Sequence, residues 1–177
     1  MKQDIGLIHI YCGDGKGKTT AAMGLAVRCA GHGRGVVIAQ FLKDGSSGEC
    51  RVLGRLDGVT LLAANPFGKF SFQMTADERA QTTDAVRRMF EAACAHAVRT
   101  DARLLVLDEV CAAITCGFLD ETDVTAFLDS KPQGLEVVLT GRDPSQALQR
   151  RADYVSEIRK CRHPFDRGIA AREDIEL

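Results

Sequence analysis

Six short stretches of the chain are β-rich and mostly apolar: "LIHIY" (7–11), "VVIAQFL" (36–42), "VTLLA" (59–63), "LLVLDEV" (104–110), "LEVVLTG" (135–141) and "YVSEI" (154–158). Stretches of this length, apolar at both odd and even positions, predict strands of a sheet covered on both faces. Between them, apolar positions recur at helical spacing in "KTTAAMGLAVRCAG" (18–31), "TADERAQTTDAVRRMFEAACAHAVR" (75–99), the segment through "ETDVTAFLDS" (ending at 130) and "DPSQALQRRA" (143–152). In the last of these, Asp143 is expected as N-cap with Pro144 in the first turn. Strands that alternate with helices in this way predict a three-layer α/β fold with a mostly parallel central sheet. The least regular regions, 43–55, 64–75 and 160–177, are where substrate contacts are expected, because binding residues concentrate on loops carried by a rigid sheet.

Length and charge narrow the picture. With 177 residues, a single domain over 1–177 is expected. A formal net charge of −1 gives no electrostatic footprint for a polyanion, so nucleic acid is not expected as a partner. No apolar run approaches the roughly 18 residues of a membrane span, and "MKQDIGLIHIY" lacks the apolar core of a signal peptide, so a cytoplasmic protein without membrane attachment is expected. The seven cysteines are odd in number and show no CxxC spacing, which suits reduced thiols packed as small hydrophobes.

The chemistry begins at "GDGKGKT" (13–19), which follows the first apolar run and opens the first helical stretch, the context a phosphate-binding loop requires. Gly13, Gly15 and Gly17 let the backbone turn tightly and present N–H groups to phosphate oxygens, aided by the positive end of the helix. Lys18 is placed to hold phosphate, Lys16 supplies a second cation, and the Thr19 hydroxyl is suited to Mg²⁺. Asp14 and Thr20 complete the expected nucleotide-binding set. Cys12 stands where the strict GxxxxGK[ST] pattern has its first glycine, so the match is to the second half of the motif. With the alternating elements, this loop implies a three-layer P-loop NTPase (RecA-like) fold.

Asp108 and Glu109 close the run "LLVLDEV", at the strand end where ligands bind in open α/β sheets. Carboxylates there suit a hard cation such as Mg²⁺, directly or through its waters. Arg142, in the "TGR" turn after another apolar run, is placed to reach phosphate. Phe70 and Phe72 alternate in "GKFSF", so an extended backbone would point both rings to one side. The His163 ring lacks a second histidine at ligand spacing and is not expected to bind metal.

Taken together, "GDGKGKTTAAMGLAVRCAGHG", "VVIAQFLK", "LLVLDEV", "LTGRDPSQAL", "ADYVSEI" and "RHPFDRGIAAREDIEL" resemble the ATP:cob(I)alamin adenosyltransferases, the corrinoid adenosyltransferase family with a P-loop fold. The similarity runs through nearly the whole chain in the same order. It implies transfer of the 5'-deoxyadenosyl group of ATP to the Co(I) of a reduced corrinoid with release of triphosphate, in adenosylcobalamin biosynthesis or corrinoid salvage. Co(I) is then itself the nucleophile, so no activated Ser, Cys or His is needed. The resemblance further implies ATP bound in the reverse sense along Gly13–Thr19, Mg²⁺, a flavoprotein-type reductase as electron donor, and a homodimer. It assigns catalytic roles to Lys18 and to Phe70 and Phe72, whose rings would fill the space of the cobalt's displaced lower axial ligand. The spacing of these rings from Gly68 differs by one residue from the family pattern. Some relatives carry a longer N-terminal extension over the nucleotide, and here such a cover is expected from elsewhere. His163 and Asp166 lie in the tail that resembles the family's, without an assigned role.

Two other readings use the same loop. A P-loop phosphotransferase, such as a nucleoside kinase, would present the γ-phosphate outward, and a thymidine-kinase-like version would carry CxxC pairs that this sequence lacks. A non-catalytic nucleotide or corrinoid sensor would not need the loop lysines and acids.

Overall fold

The computed structural model describes residues 5–176. Its six strands are β1 (Ile8–Cys12), β2 (Val36–Phe41), β3 (Val59–Ala64), β4 (Leu104–Asp108), β5 (Glu136–Thr140) and β6 (Tyr154–Glu157). They form one sheet in the order β3-β2-β4-β5-β1-β6, and every pairing is parallel. Six helices connect them: α1 (Lys18–Gly31), α2 (Gly48–Leu53), α3 (Ala76–Arg99), α4 (Val110–Thr115), α5 (Glu121–Ser130) and α6 (Gln146–Gln149). The sequence thus predicts the fold class and the strand positions to within one or two residues at each end.

Strand alternation divides the core into two layers. On one face, Val37, Ala39 and Phe41 of β2, Leu105 and Leu107 of β4, and Val137 and Leu139 of β5 pack with α3, α4, α5 and α6. On the other, Val36, Ile38, Leu104, Val106 and Val138 pack against Ala22, Met23 and Ala26 of α1 and Leu53 of α2. Continuing this second face by two residues along each strand brings Gln40, Asp108 and Thr140 together at the carboxyl end of three neighbouring strands. These are three of the four fully buried polar residues among those described, the other being Thr82. Gln40 and Asp108 are also direct partners in the β2–β4 register.

Helix α3 starts where the sequence predicts. The Thr75 hydroxyl accepts from the Glu78 N–H at 3.2 Å and the Glu78 carboxylate accepts from the Thr75 N–H at 2.9 Å, satisfying two donors that a helix end leaves free.

Several expectations are corrected. Asp143 is not the cap of α6: it turns through φ 47, and Ser145, accepting from the Leu148 N–H, caps a helix that starts only at Gln146. The run "LLVLDEV" does not stay extended to Val110, because Glu109 adopts φ 64 and Val110 opens α4. Strand β6 is exposed at all four positions, so the sheet is not covered on both faces at that edge. The segment 43–55, read as irregular, contains α2. Phe70 and Phe72 lie not on an extended segment but at a 3-10 turn over Ser71–Gln73, which still places both rings on one side.

Among the described residues, no helix is long and apolar enough to cross a membrane.

Candidate nucleotide site at the carboxyl edge of the sheet

The chain leaves β1, β2, β4 and β5 through positive-φ backbone at Gly13 (φ 102), Leu42 (φ 59), Glu109 (φ 64) and Gly141 (φ 145), the last followed two residues on by Asp143 (φ 47). Left-handed conformation in residues other than glycine is costly and concentrates at functional sites. Here it turns the chain sharply at the same sheet edge, leaving side chains from four adjacent strands facing one another.

The loop from Gly13 to Gly17 rises from β1 and delivers Lys18 and Thr19 to the first turn of α1. Two of its glycines are required by a close neighbour. A Cβ on Gly13 would lie 2.4 Å from the Ile158 carbonyl oxygen, and one on Gly15 would lie 2.8 Å from backbone of Ile158 and Arg159. The segment leaving β6 crosses that closely, and the Gly15 N–H donates to the Ile158 carbonyl at 2.8 Å. Lys18 Nζ donates to the Gly15 carbonyl at 2.8 Å, folding the lysine back over the loop.

At the centre lies the Asp108 carboxylate, completely buried. Oδ1 accepts from the hydroxyls of Thr19 (2.9 Å) and Thr140 (2.7 Å), and Oδ2 accepts from Gln40 Nε2 (3.2 Å) and Lys43 Nζ (2.9 Å). Lys43 Nζ also donates to Thr19 Oγ1 at 3.2 Å. Four donors, one of them an ammonium ion, compensate the desolvation of this charge. For Lys43, burial disfavours the charged form, but the Asp108 carboxylate prevails and holds the ammonium above its ordinary range.

Glu109 is placed differently. Its backbone N–H donates to Thr140 Oγ1 at 2.8 Å, and its carboxyl is pushed up by burial and then by Asp108 beside it. Arg142 is exposed on the loop after β5, with its charge near both Glu109 and Asp14. The structure therefore gathers Lys18, Thr19, Asp108, Glu109 and Arg142 around one edge. Asp14 does not point inward: it accepts from the Lys160 N–H at 2.8 Å, which holds its carboxyl below the usual range.

Thr19 Oγ1 and the two carboxylates are hard oxygen donors, and the Lys43 ammonium already bridging Thr19 and Asp108 shows that the space between them accepts positive charge. That donor chemistry fits Mg²⁺. No cluster of three or more His, Cys, Asp or Glu side chains suited to a metal occurs among the described residues, so a bound ion would depend on water and phosphate for its remaining ligands.

The tail lies against the loop. Lys16 Nζ donates to the Ile175 carbonyl at 3.2 Å and stands 3.4 Å from the Glu176 carboxylate. Between loop and tail is a cleft of about 580 Å³ whose lining includes Gly15, Lys16, Lys160, Arg162, Phe165 and Arg172. The His163 ring caps the turn over Pro164–Arg167, accepting from the Phe165 N–H, and Asp166 pairs with Lys160 at 3.0 Å.

Phe70 and Phe72 are 70% and 81% exposed, with nearly parallel rings whose centroids are 5.5 Å apart. They are not core residues. Arg79 ties their turn to the end of α4, donating to the Ser71 carbonyl at 3.1 Å and the Cys116 carbonyl at 2.7 Å. Neither Cys12 nor Cys111 offers a nucleophile: burial raises both thiols, Cys111 to about 12.

Lys43, Gln40 and Thr140 belong to this network without being singled out by sequence. A signal existed, since Gln40 and Thr140 each interrupt an apolar strand near its carboxyl end and Lys43 closely follows one.

Comparison with known proteins places this geometry in context. The sequence profile of the family described as ATP:corrinoid adenosyltransferase BtuR/CobO/CobP matches residues 4–177. The corrinoid adenosyltransferase of Escherichia coli (strain K12) is 32% identical over 171 residues, covering 97% of this chain and 85% of that protein. Corrinoid adenosyltransferase CobA of Salmonella typhimurium is 33% identical over 184 residues (99% and 87%), and the corrinoid adenosyltransferase of Pseudomonas aeruginosa is 29% identical over 177 residues (99% and 86%).

Proposed function

Because the chain belongs to the ATP:corrinoid adenosyltransferase family, and is thus an enzyme that adenosylates corrinoids with ATP, we propose that Gly13–Thr20 and Arg142 hold the ATP with its triphosphate as leaving group. The observation that carries this reading is the convergence of Lys18, Lys43 and the Thr19–Asp108 pair at the mouth of the loop. In the reaction the cobalt(I) lone pair forms the bond to C5', the C5'–O bond breaks, and its electrons leave on the triphosphate. The cobalt is formally Co(III) in the product.

The chain's task is then alignment and charge stabilisation. Holding cobalt and C5' in line is worth up to about 7–11 kcal/mol in well-oriented systems. Lys18 stabilises charge on the departing oxygens, and Arg142 adds a planar donor at the loop's rim. This demands the adenosyl end facing the corrinoid, the reverse of the orientation that exposes a γ-phosphate. Thr19, Asp108 and Glu109 would hold Mg²⁺, which when bound offsets the charge of the triphosphate.

Phe70 and Phe72 present a stacked apolar surface to solvent, which suits rings that cover the lower face of the corrinoid and keep an axial ligand off the cobalt. The reading includes a single catalytic domain over 1–177, a flavoprotein-type reductase that supplies Co(I), a homodimer and a cytoplasmic location. A phosphotransferase is not favoured by the family. Incubation with ATP, Mg²⁺ and chemically reduced corrinoid tests the proposal: a light-sensitive cobalt–carbon spectrum supports it, and its absence with ADP formation refutes it.

A further inference from the structure

We propose that Lys43 is a triphosphate-binding residue whose ammonium exchanges between the Thr19–Asp108 pair and the phosphates of the substrate. The inference rests on the reading of the loop as the triphosphate site and adds to it a cation from another strand.

Lys43 follows β2, not the loop, yet its Nζ lies 3.2 Å from Thr19 Oγ1, one residue from the loop lysine. The chain reaches this position through strained backbone: Leu42 adopts φ 59, and its carbonyl accepts from Asn65 Nδ2 at 3.2 Å. A leucine in left-handed conformation is a costly outlier that persists only where surrounding contacts impose it. What that turn achieves is to send the next side chain back over the sheet edge towards Asp108.

The ion pair is asymmetric. The Asp108 side chain is wholly buried, whereas that of Lys43 remains 31% exposed. When the ammonium turns outward, Asp108 keeps hydrogen bonds from Thr19, Thr140 and Gln40 and is not stranded. Lysine suits such exchange because its ammonium is a compact point charge on a flexible stem. Glu109 and Asp108 supply negative charge when phosphate is away, and a triphosphate offers a stronger partner of the same sign on the open side.

The test is calorimetric titration of inorganic triphosphate in metal-free buffer, so that lysine faces phosphate without competition from Mg²⁺, with adenosine titrated in parallel. Lys43→Met should weaken triphosphate binding by about tenfold to a hundredfold, the range for losing a charged hydrogen bond, and leave adenosine unchanged. Lys43→Arg should recover most of the affinity. Should Lys43→Met fail to fold, Lys43→Gln, which can still donate to Asp108, makes the same comparison without the charge. Lys18→Ala separates the two levels of the argument. If it weakens triphosphate binding while the Lys43 variants do not, the role of Lys43 is wrong and the loop reading stands; if neither does, both fall. Equal weakening of triphosphate and adenosine would mark Lys43 as structural only and overturn the proposal.

Discussion

Thr19, at the start of α1, and Asp108, at the end of β4, are 89 residues apart in sequence and joined by a 2.9 Å hydrogen bond from hydroxyl to carboxylate. The bond ties the start of α1 to a strand that is not a neighbour of β1: β5 lies between β1 and β4 and contributes Thr140 to the same oxygen.

Asp108→Asn tests that junction. An amide that presents its oxygen to Thr19 and Thr140 must turn its NH₂ towards Gln40 Nε2 and Lys43 Nζ, both donors. The expected result is a loss of about 1–3 kcal/mol in stability, with the fold retained and a weakened Mg²⁺ dependence of turnover. Glu109→Gln should weaken the metal dependence with less effect on stability, since only its backbone N–H is bound in the network. Thermal melts and Mg²⁺ titrations of turnover measure both effects; titrations that overlay the parent's would make the acidic pair structural.

Replacing Phe70 or Phe72 by alanine should change stability by no more than about 0.5 kcal/mol, because both rings are largely exposed. If they exclude an axial ligand, the variants should be slow with Co(II) corrinoid and a protein reductase, yet near normal with preformed Co(I). Equal losses in the two assays would remove the rings from that role.

The tail contact carries a pH signature. The Glu176 carboxyl is held down from 4.5 to about 2, chiefly by Arg172 through its side chain and backbone N–H, with a further contribution from Lys16. A depressed carboxyl stabilises the folded arrangement fully above its ordinary value and loses that contribution as pH falls through its folded value. Protection of the Glu176 amide, which donates to the Arg172 carbonyl, should therefore decline between about pH 4.5 and 2 in hydrogen exchange. At neutral pH, Glu176→Gln should speed tryptic cleavage after Arg172 severalfold. Unchanged cleavage would mean that the carboxylate does not hold the tail.

Much of this architecture is legible in the residues. Five of the six strands are apolar enough to declare themselves, and α1 is bounded by the loop before it and by Gly31 at its end. Strand β6 is legible as a strand but not as an exposed one, because burial depends on which strand ends the sheet. The cap of α6 is missed because Asp143 and Ser145 are both good capping residues, and the left-handed turn after β5 uses up the first. Within the site, Lys18, Thr19 and Asp108 follow from spacing, whereas Lys43 does not. Its role depends on the β2–β4 pairing and on the backbone angle of Leu42, neither of which leaves a residue pattern. Phe70 and Phe72 share a side for a reason other than strand alternation, a 3-10 turn fixed by Arg79.

The most direct test of the account is the fate of the three phosphates in a single turnover with γ-labelled ATP and preformed Co(I) corrinoid, run on the parent and on Lys18→Ala. The account predicts one intact triphosphate per light-sensitive cobalt–carbon bond in the parent, and a rate about 10²–10³ lower in Lys18→Ala, as when one preorganised donor to a developing oxyanion is removed. Label transferred to an acceptor with ADP left behind, or an unchanged rate in a folded Lys18→Ala, would contradict it.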